Sequence, residues 1–208
     1  MATTAAPYGL RPVNLIGGQP YAGSTRLIKI ANAYAANIFY GQAVKSNGNG
    51  FIQADTSTTA LDATGAIGVF VGCTYTDPGL KYKVFKQYWP TGTVATDAEA
   101  YVVDDPDVVM QVQADEAVAQ TALGANIALV TSAGSTTTGN STTAADGSSV
   151  ATTGTLPLRI VGFVDGPDSA VGDTYTDLLV KWNMPFANST TAVVTTVGGH
   201  SYMNPTGV

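Results

Sequence analysis

Apolar and polar residues alternate along this chain in short stretches and almost never recur at helical spacing, so strands joined by turns are expected throughout. Two runs are apolar nearly without a break, Ala66 to Val71 and Leu156 to Asp165, and such runs predict strands covered on both faces. Gly68 sits inside the first of them, where a glycine marks a bulge or a close backbone approach. Further strands are expected at Arg26–Ile30, Phe39–Lys45, Phe51–Ala54, Lys81–Trp89, Ala100–Val103, Val108–Ala114 and Thr176–Trp182. The segment Ser46-Asn47-Gly48-Asn49-Gly50 predicts a hairpin, because Asn-Gly takes up the positive φ angles of a tight turn at little cost. Asp77-Pro78-Gly79 predicts a second turn. Helix is expected only over Asp115–Leu123, with a shorter helical turn at Ala31–Ala36.

The strand pattern occurs twice. Gly41-Gln42-Ala43-Val44, a Gly/Asn turn, Phe51 to Asp55 and Ala66 to Gly72 are followed by an alternation that ends at Trp89-Pro90. Gly124 to Val130 and Leu158 to Gly166 are followed by a similar alternation through Trp182 to Pro185. Gly68 and Gly162 are 94 residues apart and Trp89 and Trp182 are 93 apart, which suggests an internal duplication. The expected fold class is therefore all-β, with two small β-barrel, β-tulip-like or sandwich domains over 27–95 and 96–187. Residues 131–155 of the second copy are mostly Thr, Ser, Gly and Ala and read as a long surface insertion that cannot form a core alone. Residues 1–26 are an extended N-terminal arm and 188–208 a C-terminal tail.

Prolines and glycines break any periodicity in the arm, yet it carries Tyr8, Leu10, Val13, Leu15 and Ile16. Apolar residues on an extended segment need a surface to cover. Either the arm docks on another chain's sheet edge, or it is the first strand of the protein's own barrel.

Charge and reactive side chains narrow the function. Only 12% of residues are charged and the formal net charge is -6, so a nucleic-acid surface is not expected. No run reaches the roughly 18 to 20 apolar residues of a membrane span, and Met1 to Pro7 lacks the features of a secretory signal. The single cysteine, Cys73, excludes an intrachain disulfide and reads as a buried small hydrophobe. The single histidine, His200, lies in the tail, where contact with a partner or solvent competes with a metal or pH role. Asp104, Asp105 and Asp107 form the densest acidic cluster; a solvated turn and a metal site are both open, although calcium-loop spacing is absent. Asn140-Ser141-Thr142 matches a glycosylation triplet incidentally. No triad, phosphate loop or zinc spacing is present, so neither enzyme activity nor a cofactor is expected, with a glycosidase-type carboxylate pair left open.

The run Gly41-Gln42-Ala43-Val44, turn, Ala54-Asp55, Gly65-Ala66-Ile67-Gly68-Val69-Phe70-Val71, Lys83-Val84-Phe85-Lys86 and Trp89-Pro90 resembles the lambda-type head decoration proteins of tailed bacteriophages. The resemblance covers roughly residues 38–92 and, more loosely, the second copy. Pro7-Tyr8-Gly9-Leu10-Arg11-Pro12 looks like the arms that precede such domains in related virion proteins. The resemblance implies a homotrimeric cement protein, made in the host cytoplasm and placed on the outer surface of the virion capsid. Its partners would be the major capsid protein and itself, with no nucleic acid, membrane, metal or cofactor. The capsid-binding residues it implies are Pro7, Tyr8, Leu10, Arg11, Pro12, Val13 and Leu15. The second copy, the 131–155 insertion and the tail depart from the family pattern, which leaves the trimeric state open. A head-fibre base, a head–tail joining protein and a host- or glycan-binding module are the competing readings. The last is disfavoured by an insertion with no tyrosine or tryptophan to stack on a sugar.

Overall fold

Neighbouring residues of a strand point to opposite sides, and in this protein both sides are often buried. A computed structural model describes residues 4–56, 66–132 and 134–183, which form twelve strands in two antiparallel sheets. The first sheet contains β2 (Arg26–Lys29), β3 (Gln42–Ser46), β4 (Ile52–Ala54), β5 (Gly68–Thr76), β6 (Lys83–Lys86) and β7 (Glu99–Val103). Its order is β2-β7-β5-β3-β4, and β6 continues along β5 on the edge that β3 leaves. The second contains β1 (Arg11–Leu15), β8 (Val108–Gln113), β9 (Asn126–Val130), β10 (Ala144–Ala151), β11 (Leu158–Phe163) and β12 (Asp177–Trp182), in the order β1-β8-β12-β11-β9-β10.

With β6 and β1 set aside, the two sheets share one topology. Each runs first, fifth, fourth, second, third strand of its own unit. In each, a single parallel bridge ties the end of the first strand to the third, Ile30 to Ile52 and Ala114 to Ala145. Neither closes into a barrel.

The duplication therefore has a different register from the one the sequence suggests. In both units the fourth strand carries a bulge against the fifth, between Phe70 and Gly72 and between Ile160 and Gly162. The counterpart of Gly162 is thus Gly72, 90 residues away, and not Gly68. Likewise β12, with Trp182, corresponds to β7, whereas Trp89 follows the extra strand β6 and bridges Ile38. The two tryptophans match in their burial, not in their place in the repeat.

Other boundaries also move. Because β7 pairs with β2 and β5, the change of sheet falls in the acidic turn 104–107 and not at 95/96. Asp115–Leu123 forms only one 3-10 turn, Gln120–Ala122, and Ala31–Ala36 forms a turn with Ala33 at φ 55. The 131–155 stretch is not a plain surface excursion: it supplies β10, paired to β9, and buries Ser141 and Thr143. Its hydroxyls make this possible, since Ser141 and Thr143 bond each other and Ser149 donates to the Asp146 carbonyl.

Two cores follow from the two sheets. Phe70, Tyr75, Trp89, Val44, Ile52 and Val102 fill the first, with Tyr75 edge-on to Trp89 at 5.3 Å. Met110, Ile127, Leu158, Ile160, Leu178 and Trp182 fill the second. The second core also takes Ala43, Val69 and Val103 from the back of the first sheet. That is why β5 is buried on both faces, as its apolar run predicts. Among the described residues no helix is long and apolar enough to cross a membrane.

Candidate docking surfaces

The arm is the first place to look, and it is already docked. Of its two readings, the structure supports the second: residues 11–15 form β1, an edge strand paired to β8 of the same chain. Leu10, expected at a partner contact, is fully buried in the second core of this chain. Gly9 and Gly41, both at positive φ, pass back to back; a Cβ on Gly9 would lie 2.8 Å from the Gly41 carbonyl oxygen. That close passage lets the Leu10 N–H donate to Gly41 and the Gly9 N–H donate to Thr143, tying the arm to both sheets.

Polar contacts fix the rest of the arm. The Ala6 N–H donates to Gln113, and the Tyr8 hydroxyl donates to the Asp177 carboxylate at 2.8 Å. Burial, and then the neighbouring Asp177 charge, push the Tyr8 phenol well above its ordinary range, so it stays a donor. The Arg11 guanidinium lies 4.2 Å over the Tyr8 ring. Pro7, Pro12 and Leu15 are half-buried, and Tyr8 is held by these contacts. Of the residues expected to meet a partner, Arg11 and Val13 are the exposed ones.

A second surface escaped the sequence reading. The β5–β6 hairpin exposes Leu80, Tyr82 and Phe85, at 58%, 58% and 70% of their surface. Hydrogen bonds tie the turn: the Asp77 carboxylate accepts from the Gly79 and Leu80 N–H groups, and Lys81 takes a left-handed φ of 60. At its base, Asp97 accepts from both the hydroxyl and the N–H of Thr76. Only a steric signal was available for this knob, the short Pro-Gly turn, and the alternation of Lys83 to Lys86 suggested one buried face.

These carboxylates make the hairpin sensitive to acid. The Leu80 and Gly79 N–H bonds hold Asp77 below its ordinary 3.8, and the Thr76 bonds do the same for Asp97. A lowered folded pKa adds stability that is complete above 3.8 and is lost as pH falls through the lower folded values. The amide resonances of Gly79 and Leu80 should therefore follow Asp77, and that of Thr76 Asp97, each titrating below pH 3.8. Titration at or above that value would show that the bonds are not made in solution.

Two concavities accompany these surfaces. A groove of about 500 Å³ is floored by Gly72 and walled by Tyr40, Phe85, Gln87 and Tyr101. A cleft of about 330 Å³ lies between the 3-10 turn and β10, lined by small side chains that include Val118, Ala119, Ala122 and Val150. Neither gathers a reactive constellation. Cys73 borders the groove, but its thiol points to the Tyr88 carbonyl and burial pushes its pKa up to about 12.

The acidic turn is explained by pairing. Arg26 Nε lies 2.6 Å from Asp104, Lys181 Nζ lies 3.3 Å from Asp107, and Asp105 accepts from the Asp107 N–H. Among the described residues no group of three or more His, Cys, Asp or Glu is placed to hold a metal ion. His200 and the tail expected at 188–208 lie outside the described residues.

The chain matches no protein-family model, and comparison with curated proteins and with solved structures finds no match.

Proposed function

We propose that this protein is a structural virion component, a cement protein that decorates a phage capsid from outside and clamps neighbouring major capsid subunits. One observation carries the reading: the β5–β6 hairpin exposes three large apolar side chains, Leu80, Tyr82 and Phe85, on one short projection. Val13 and Ile16 are exposed at the arm. Apolar surface of this kind is tolerated when a partner covers it. The resemblance of roughly residues 38–92 to lambda-type decoration proteins points the same way, and supplies the homotrimer and the capsid as expected partners.

The physical logic is linkage. A protein that binds the assembled shell and not its separated subunits stabilises the shell by mass action. Interfaces of roughly 1,600 Å² total are ordinary for such contacts. A chain with 12% charged residues loses little by desolvating its surface there.

The test is a shell stripped of this protein and then reloaded. Reloaded particles should bind it in a fixed ratio near the capsid copy number and release their contents at a higher temperature than stripped ones. Equal heat stability overturns the cement role. A small fixed number of copies per particle would instead assign the protein to the head–tail junction.

A further inference from the structure

The hairpin projects apolar side chains and lysines, and the second unit carries a concavity with carboxylates beside it. Leu80, Tyr82 and Phe85 form an apolar knob, flanked by the exposed ammonium groups of Lys81 and Lys83. The cleft is a concavity of mixed polarity, roomy because its walls are alanine, valine and Gly147, with Thr121 and Thr152 among them. Its rim is acidic: Asp115 and Glu116 are exposed beside Ala117, and Asp146 precedes Gly147, whose N–H donates to Asp115. Asp165 and Asp168, also exposed, and Asp173 follow on the loop that packs against the same end of the sheet.

We propose that the hairpin knob of one copy seats in the alanine-lined cleft of a second copy. Charge selects this pairing over the alternatives. Residues 26–103 carry six basic and five acidic side chains, whereas residues 104–183 carry two basic and ten acidic ones. Cleft against cleft sets like charges together; hairpin against cleft sets lysines beside carboxylates. The hairpin's own Asp77 and Asp97 keep their negative charge against Lys81, Lys83 and Lys86, so the knob's excess of positive charge is small, and Lys86 lies over the Tyr75 ring. Arg159 also lies beside the cleft, where its Nε donates to Asn126 next to Ala125, and Arg11 covers Tyr8.

Preorganisation favours the contact too. Asp77 and the left-handed Lys81 hold the knob in one conformation, so little entropy is lost when it docks. Knob and hole lie on different units, so the contact is head-to-tail, closing as a ring or extending as a chain. It requires no capsid: it names the surfaces of the self-association that the proposed function expects, and self-association is measured without a shell whereas the cement role is measured on one.

Sedimentation equilibrium of the full chain, from micromolar to millimolar and at low and high salt, tests it. The protein should self-associate, and more weakly as salt rises. Tyr82→Ser, which truncates the knob, and Ala119→Trp, which fills the hole from an exposed position, should each weaken association about tenfold or more. Both sites are exposed, and unchanged circular dichroism and melting would show the fold intact. Lys83→Glu and Glu116→Lys should each weaken association alone, and an equimolar mixture of the two should restore it. A protein that stays monomeric throughout overturns the proposal. So does association that ignores these four substitutions, or a mixture that does not recover.

Discussion

Replacing Gly68 with alanine is expected to unfold the protein or cost it more than about 3 kcal/mol, whereas Gly162→Ala should change stability by less than about 1 kcal/mol. A Cβ on Gly68 would lie 2.1 Å from the Val103 carbonyl oxygen and 2.8 Å from its carbon. Neither atom can move freely, since Val103 is in β7, paired to β5 and packed into the second core. Relieving the overlap means separating β5 from β7 where the two units meet. At Gly162 the nearest atom to a new Cβ is Leu179 Cδ1 at 3.4 Å, an ordinary contact with a side chain that has room to adjust. Urea unfolding followed by tryptophan fluorescence reads both variants, because Trp89 and Trp182 are buried in different cores. Equal and small effects would mean that β5 and β7 do not approach as described.

This pair of glycines also shows what the sequence could and could not reveal. An isolated glycine in an apolar run signals close backbone approach, and Gly68 has it. The signal says nothing about which glycine of the second copy plays the same part, and the register of the repeat was misjudged by matching glycine to glycine and tryptophan to tryptophan. The bulges decide it, and a bulge is a property of two paired strands, invisible in one. The Asn47 to Gly50 turn was legible because its chemistry is local: Asn47 accepts from the Asn49 and Phe51 N–H groups, and Gly48 and Gly50 take φ near 80.

Strand β10 was illegible for the opposite reason. Ala144 to Ala151 contains no large apolar residue except Val150, so its composition resembles linker. Small side chains are what the site requires, because Gly147 packs against Glu116 and the strand borders the cleft. The exposed knob was missed because a strand pattern identifies a face to bury without saying whether the protein itself buries it. Val84 packs on the first core, while Phe85 beside it faces solvent.

Deleting residues 1–16 should leave a chain that unfolds or aggregates, not a folded protein that has lost only its partner. The deletion removes the whole β1 strand and uncovers the edge of β8, whose Val108, Met110 and Val112 are core residues. It also removes Leu10 from the junction of the two sheets. Leu10→Ala alone is expected to cost about 2 to 5 kcal/mol, the range for truncating a fully buried leucine. Tyr8→Phe should cost about 1 kcal/mol, because it leaves Asp177 without its hydroxyl donor while keeping the ring under Arg11. Val13→Asp separates stability from docking. Val13 is 37% exposed, so this variant should melt near the unaltered protein yet bind shells more weakly if the outer face of β1 meets the capsid. A soluble, cooperatively folded chain lacking residues 1–16 would show that the arm's intrachain pairing is dispensable, returning it to the role of a segment held for another molecule.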